Sequence, residues 1–195
     1  MIRVTHGLQV RASGGFIQEE GIMIETKRLI LRPLSYDELV KHIKCPNELA
    51  KDLKLTPSTS LIEEEVQEAI LNDLLPNLSD STKNPLFFTM WIMIEKGIKA
   101  VIGGVCFHGE PDKNGEVEIG YGTDDDYQNK GYMTEAIFGL IQWVKGNSDI
   151  HTIKAETDKT NIASILVLKN NNFELIEQND NSVIMKLKLK DKDKT

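Results

Sequence analysis

Gln128 and Gly131 stand at a junction between two kinds of hydrophobic periodicity, and that junction is where this sequence can do chemistry. Before it, Glu116 to Gly122 alternates as a strand does, with Val117, Ile119 and Tyr121 on one face and Glu118 and Gly120 on the other. After it, Ile137, Phe138, Leu140, Ile141 and Val144 recur with the period of a helix entered at Gly131. A polar loop, Thr123 to Lys130, joins the two. A glycine turn into a helix N-terminus directs several backbone N–H groups at one point, which suits an anionic ligand such as a pyrophosphate. Here Gln128, Asn129, Lys130, Gly131, Tyr132, Met133 and Thr134 form that turn, and Lys130 adds a cation.

Other reactive side chains point elsewhere. Asp124, Asp125 and Asp126, with Glu135 at the twelfth place, count out like a calcium loop. Asn129 holds the sixth place, where such a loop needs Gly, and the run continues into helix, so no metal site is expected. The acidic turn is either a solvated loop or an attraction for a cationic ligand. His42, His108 and His151 have no zinc or triad spacing. Cys45 and Cys106 make no disulfide framework, which fits a reducing, cytoplasmic setting, and Cys106 lies in an apolar run as a packing residue.

With 195 residues and 40% hydrophobic content, the chain is expected to build one well-buried domain. The net charge of −7 argues against a general nucleic-acid binder and is compatible with an amine or cationic substrate. No run approaches the roughly 20 apolar residues of a membrane span, and the N-terminus lacks the apolar centre of a secretory signal, so a soluble protein with no membrane partner is expected. Residues 1–22 carry little periodicity and are expected to be an extension. The working domain is expected over 23–190, with a polar tail at 191–195.

The remaining elements must position the junction. Leu29 to Arg32 reads as a strand stopped by Pro33; Ser35 with Glu38 three residues on then forms a capping box for a helix. Cys45 to Ser60 reads as loop or short helical turns. Ser60 precedes an amphipathic helix carrying Leu61, Val66, Ile70, Leu74 and Leu75 and expected to end before Pro76. LFFTMWIMIE (86–95) is apolar throughout, as a strand buried on both faces is. The next strand carries Gly103-Gly104, a sign of a bulge or a close approach, and Asn114-Gly115 is a hairpin turn leading into Glu116. A strand after His151, a helix opened by Asn161 and a final hairpin complete the order β, α, α, β, β, β, α, β, α, β, β. The expected fold is α/β (α+β), a mixed, mostly antiparallel twisted sheet of six to seven strands flanked by about four helices.

That order, with QNKGYMTEA (128–136) at a strand-to-helix junction and TNIASILVLKNNNF (160–173) farther on, resembles the GNAT superfamily of acyl-CoA N-acyltransferases. ETKRLILRPLSYDEL (25–39), VEIGY (117–121) and the Asn-x-x-Ser helix are most similar to the branch containing the ribosomal-protein alanine N-acetyltransferases. The resemblance spans 23–189. It implies acetyl-CoA as co-substrate, with the Q/R-x-x-G-x-G/A turn binding its pyrophosphate. Gln128 and Gly131 match that pattern, and Met133 takes the third place, where the family has Gly or Ala.

The same resemblance implies further roles. Ile119, Gly120 and Tyr121 offer backbone to pantetheine where neighbouring strands splay. Asn161 and Ser164 serve the cofactor, or a helix cap and a packing position, or both. Acetyl transfer to an amine needs a proton acceptor, for which Glu118 is the leading candidate and Glu116 the second, and the Tyr121 amide suits an oxyanion. His108 lies at a strand end facing the acceptor. The family's usual tyrosine acid is absent from the helix after Asn161, where Leu168, Lys169 and Asn170 stand, so another group or solvent protonates the thiolate. The function implied is an acetyl-CoA-dependent N-acetyltransferase acting by direct attack of a protein N-terminus or small-molecule amine; the alternative is a non-catalytic acyl-CoA-binding module. A homodimer is compatible with either.

Overall fold

A computed structural model describes residues 2–5, 22–57 and 62–189. Strands β1 (Arg3–Thr5), β2 (Met23–Glu25) and β3 (Leu29–Pro33) precede helices α1 (Tyr36–Lys44), α2 (Pro46–Asp52), α3 (Glu64–Ala69) and α4 (Leu75–Leu78). Then come β4 (Met90–Glu95), β5 (Ala100–Phe107), β6 (Glu116–Thr123), α5 (Tyr132–Val144), β7 (Thr152–Asp158), α6 (Ile162–Asn170), β8 (Glu174–Gln178) and β9 (Ser182–Lys188). The nine strands lie in the order β1-β2-β3-β4-β5-β6-β7-β9-β8. Of the pairings between them, β6 with β7 alone is parallel.

This is the mixed, mostly antiparallel sheet that the sequence implied, with more strands than six to seven. The additional ones are short: Met23–Glu25 separates from Leu29–Pro33, and Arg3–Thr5, within the segment expected to precede the domain, pairs with β2. Helices also exceed four, because Pro46 starts a separate α2 and the helix after residue 62 is interrupted. Ser60 and Leu61, expected at the start of that helix, lie outside the described residues.

The interruption corrects the expected stop before Pro76. Ile70–Leu74 forms a π turn, in which the Leu75 N–H reaches the Ile70 carbonyl, and the helix carries on through Pro76 to Leu78. Pro76 has no N–H to give, so the wider turn lets the ladder change register there. The Asn77 side chain donates to the Asp73 carbonyl at 2.7 Å and restores a bond at this point.

Two apolar cores lie on opposite faces of the sheet. The larger joins Leu29, Leu31, Trp91, Met93, Phe107, Val117 and Ile119 to Ile137, Leu140 and Val144 of α5 and Leu168 of α6. The smaller packs Ile92 and Ile94 against Leu39 of α1, Leu49 of α2, Ile70 and Leu74 of the π turn and Leu75 of α4. Strand β4 therefore gives alternate residues to each core, which explains why its sequence is apolar without a break. The Gly103-Gly104 pair lies at the register shift between β4 and β5, with the β6 backbone pressed against Gly103. The capping box also forms: Ser35 Oγ accepts from the Glu38 N–H, and the Glu38 carboxylate accepts from the Ser35 N–H at 2.9 Å.

Candidate active site

The parallel pairing of β6 with β7 runs only from Glu116↔Thr152 to Glu118↔Lys154, after which the strands diverge. On its other side β6 stays paired with β5 as far as Thr123. The alternation of that antiparallel ladder decides which backbone groups are spent. Glu118 accepts from the His108 N–H at 2.9 Å and Asp124 donates to Ile102 at 3.0 Å, so even-numbered residues turn towards β5. Odd-numbered residues turn the other way. The Ile119 carbonyl and the Tyr121 N–H and carbonyl accordingly open on the gap beyond the β7 pairing, whereas Gly120 faces Cys106.

At the far end of β6, a 3₁₀ turn (Asp125–Tyr127) leads to Asn129 at φ 57° and to Gly131 at φ 74°, the residue that caps α5. A left-handed φ suits glycine. Only Arg28 Nη2, at 3.6 Å, lies near a Cβ placed on Gly131, so the space in front of the helix is open and conformation alone selects the residue. No side chain caps α5, and the backbone N–H groups from Asn129 through Thr134 meet no acceptor among the described residues. The Met133 side chain is buried in the larger core, so its bulk is directed away from those amides.

A clamp fixes this loop. Glu135 accepts from Thr26 Oγ1, the Arg28 N–H and Arg28 Nε, each at 2.7 Å, and Arg28 Nη1 also donates to the Lys130 carbonyl at 3.0 Å. The Arg28 guanidinium stacks 4.2 Å from the Tyr132 ring centre. Burial alone raises the Glu135 carboxyl, but the bonds from Thr26 and Arg28 outweigh it and hold the group below its ordinary value. Glu135, the twelfth place of the apparent calcium spacing, is thus engaged by β2 and its turn. Gln128 donates to Asp125 at 2.8 Å, and Lys130 Nζ to the Asp126 carbonyl at 2.6 Å, so both side chains brace the loop.

Across the gap, Asn161 caps α6 by accepting from the Ser164 N–H at 3.0 Å. The Tyr121 phenol reaches over from β6 to Ser164 Oγ at 2.9 Å. Burial pushes the phenol up to about 12, with the Ser164 bond pulling weakly the other way, so it keeps its proton at neutral pH. The helix has no tyrosine, yet a tyrosine hydroxyl stands at its first turn.

Glu118 points to the opposite face of the sheet, that of the smaller core, together with Cys106 and His108. Its carboxylate is 29% exposed and accepts from Lys154 Nζ at 2.9 Å, and His108 Nδ1 is 3.8 Å from its other oxygen. Glu116, the second carboxylate, is held by Lys186 at 2.6 Å. Sequence reasoning missed Lys154, Arg28 and Lys186, because each acts through a partner far away in the sequence, on another strand or, for Arg28, on α5. Burial pushes the Cys106 thiol up to about 11.

Residues 28–174 match the acetyltransferase (GNAT) domain family. The chain is 30% identical over 154 residues to the uncharacterized N-acetyltransferase YjdG of Bacillus subtilis, covering 78% of this chain and 89% of that protein. Its fold is similar to that of the ribosomal-protein-S5-alanine acetyltransferase of Vibrio fischeri, with a TM-score of 0.61, 17% identity, and 86% and 97% of the two chains covered. It is also similar to a ribosomal L7/L12 alpha-N-protein acetyltransferase solved with coenzyme A, with a TM-score of 0.56, 18% identity, and 84% and 96% covered. Among the described residues, no helix is long and apolar enough to cross a membrane, and no group of His, Cys, Asp and Glu is placed to hold a metal ion. The domain match over most of the chain and the shared fold have one meaning: this protein belongs to the GNAT acetyltransferase family.

Proposed function

We propose that the protein transfers an acetyl group from acetyl-CoA to a primary amine, a protein N-terminus or a small-molecule amine, by direct attack. One observation carries this reading: a run of amides without partners among the described residues, from Asn129 through Thr134, lies at the end of the strand whose Ile119 and Tyr121 backbone opens on a gap between diverging strands. The donor set fits the two ends of acetyl-CoA. The helix N-terminus suits its pyrophosphate, and an open strand edge suits the amides of its pantetheine arm. Gln128 and Lys130 support the loop that presents the amides, and Asn161 and Ser164 line the α6 side.

When bound, acetyl-CoA supplies the activated thioester. The Tyr121 N–H, unused by the sheet, is the donor for the oxygen of the carbonyl under attack. The Tyr121 hydroxyl, with Ser164 beside it, supplies the proton that the departing sulfur takes up, the task for which α6 has no tyrosine of its own. The acceptor enters from the face bearing Glu118, whose negative charge favours an ammonium group and takes its proton directly or through a neighbour.

The test is thiol release from acetyl-CoA in the presence of a panel of N-terminal peptides and small amines, with mass spectrometry of the product. Release that depends on an amine, with an acetylated product, is the expected result. Tight coenzyme A binding without turnover on any amine would instead identify a non-catalytic acyl-CoA-binding module. Likewise Gly131→Val, which forces a branched residue to positive φ at a cost of about 1–3 kcal/mol, should weaken coenzyme A binding at least tenfold by calorimetry.

A further inference from the structure

The geometry points to the imidazole of His108, oriented by Glu118, as the group that takes the proton from the acceptor amine. This rests on the acetyl-transfer reading above and names a residue within it.

The position of the ring is set by Gly120. A Cβ placed on Gly120 would lie 2.7 Å from His108 Nε2 and 3.5 Å from Cys106 Sγ, so the absence of a side chain here lets the Nε2 edge of the imidazole approach the β6 backbone. Gly120 stands between Ile119 and Tyr121, the two residues whose backbone opens on the gap, and strand rise puts neighbours only about 3.3 Å apart. An acyl group held at that edge is therefore within reach of Nε2. The ring is 52% exposed, open to an incoming amine.

Behind the ring, Nδ1 lies 3.8 Å from one Glu118 oxygen, while Lys154 Nζ holds the other oxygen at 2.9 Å. That separation is longer than a hydrogen bond, and such contacts in ligand-free sites tighten when substrate binds. With one oxygen bonded to Lys154, the Glu118 carboxylate is fixed in place and turns its other oxygen to Nδ1, which orients the ring. Lys154 fixes Glu118, Glu118 orients His108, and His108 faces the substrate. Other titratable groups near this face have different tasks. Cys106 keeps its proton, Glu116 is paired with Lys186 at 2.6 Å, and Asp73, whose charge reaches the Cys106 thiol from the π turn, bonds Asn77 at 3.0 Å.

The step balances without a further reactant. His108 Nε2 removes a proton from the acceptor, the nitrogen lone pair forms the bond to the thioester carbon, and the carbon–sulfur bond breaks with its electron pair on sulfur. The Tyr121 hydroxyl protonates the sulfur and is itself reprotonated, through water, by the second proton that the acylated nitrogen sheds, and the His108 proton passes to solvent.

The experiment compares kcat, KM and their pH dependence for the full chain and for His108→Gln and Glu118→Gln, using an amine that the wild type acetylates, with coenzyme A affinity measured by calorimetry. His108→Gln should lower kcat by about 100-fold or more, abolish the acidic limb of the pH profile and leave coenzyme A affinity unchanged, and added imidazole should restore part of the rate to His108→Gly. Glu118→Gln should lower kcat by about tenfold, through a less well oriented ring, and leave that limb present. His108→Gln with kcat within twofold of wild type and an unmoved profile would overturn the assignment, as would Glu118→Gln abolishing turnover while His108→Gln does not. A wild type that acetylates no amine would instead remove the acetyl-transfer reading and this inference with it.

Discussion

Tyr121 offers three parts of itself to the proposed site. Its N–H and carbonyl open on the gap, its ring packs against the larger core, and its hydroxyl meets Ser164 Oγ at 2.9 Å. Only the hydroxyl is separable by mutation. Tyr121→Phe is expected to lower kcat by roughly 10- to 100-fold with KM for acetyl-CoA nearly unchanged, since the backbone proposed to receive pantetheine stays in place. Losing the bond to Ser164 should cost about 1 kcal/mol, a fall in Tm of roughly 2–4 °C for a chain of this size. Steady-state kinetics with the acetylated amine and a thermal melt check both. An unchanged kcat would return the protonation of sulfur to solvent.

At the scale of elements, the loop before α5 needs an anchor, because a run of amides binds phosphate well only if it is already arranged. The turn between β2 and β3 provides it through Thr26 and Arg28, which converge on Glu135 in the first turn of α5. Glu135→Ala leaves three donors without their acceptor. Because the Arg28 side chain is partly exposed, solvent screens much of the pair, and the expected cost is about 1–2 kcal/mol. This corresponds to a Tm lower by roughly 3–6 °C. Coenzyme A affinity should fall as well, while affinity for a pantetheine fragment lacking the pyrophosphate should hold. Equal losses for both ligands in calorimetry would mean that the clamp supports the whole gap rather than the loop.

Across the whole molecule, the acidic chain should lose stability in acid, and the sign follows from how the fold shifts its titrating groups. Glu38 and Glu135 are raised by burial but lowered more by their hydrogen bonds and arginine partners, so their folded values lie below the unfolded ones. Their stabilisation is present above the unfolded carboxylate value of about 4.3 and is lost as pH falls through the folded values. Burial also lowers His42, so the unfolded chain takes up its proton first and stability begins to decline below about pH 6.5. Urea midpoints should therefore fall gently below pH 6.5 and more steeply below about pH 4. His42→Gln should remove the gentle part. Glu38→Gln with Glu135→Gln should start lower at pH 7 and fall less steeply in acid.

The sequence by itself determined most of the elements of this protein and much of the loop before α5. Alternation and helical period are local properties, so the strand at Glu116, the helix after Gly131, the Ser35 cap and the Asn161 cap were all legible. A glycine before an amphipathic helix already implied exposed amides. The face occupied by Glu118 was legible too, because side chains alternate along a strand. Its neighbours were not, because alternation assigns a face and never a partner. Lys154 meets Glu118 across 36 positions, Ser164 meets Tyr121 across 43, and Glu135 meets Arg28 across 107. The first two depend on β7 lying parallel to β6 in one register and leaving it after Glu118, and the third on α5 packing across β2 and β3. Only the tertiary structure decided that divergence, and with it the ring of His108 over Gly120, because sheet order and register are set by the packing of both cores together.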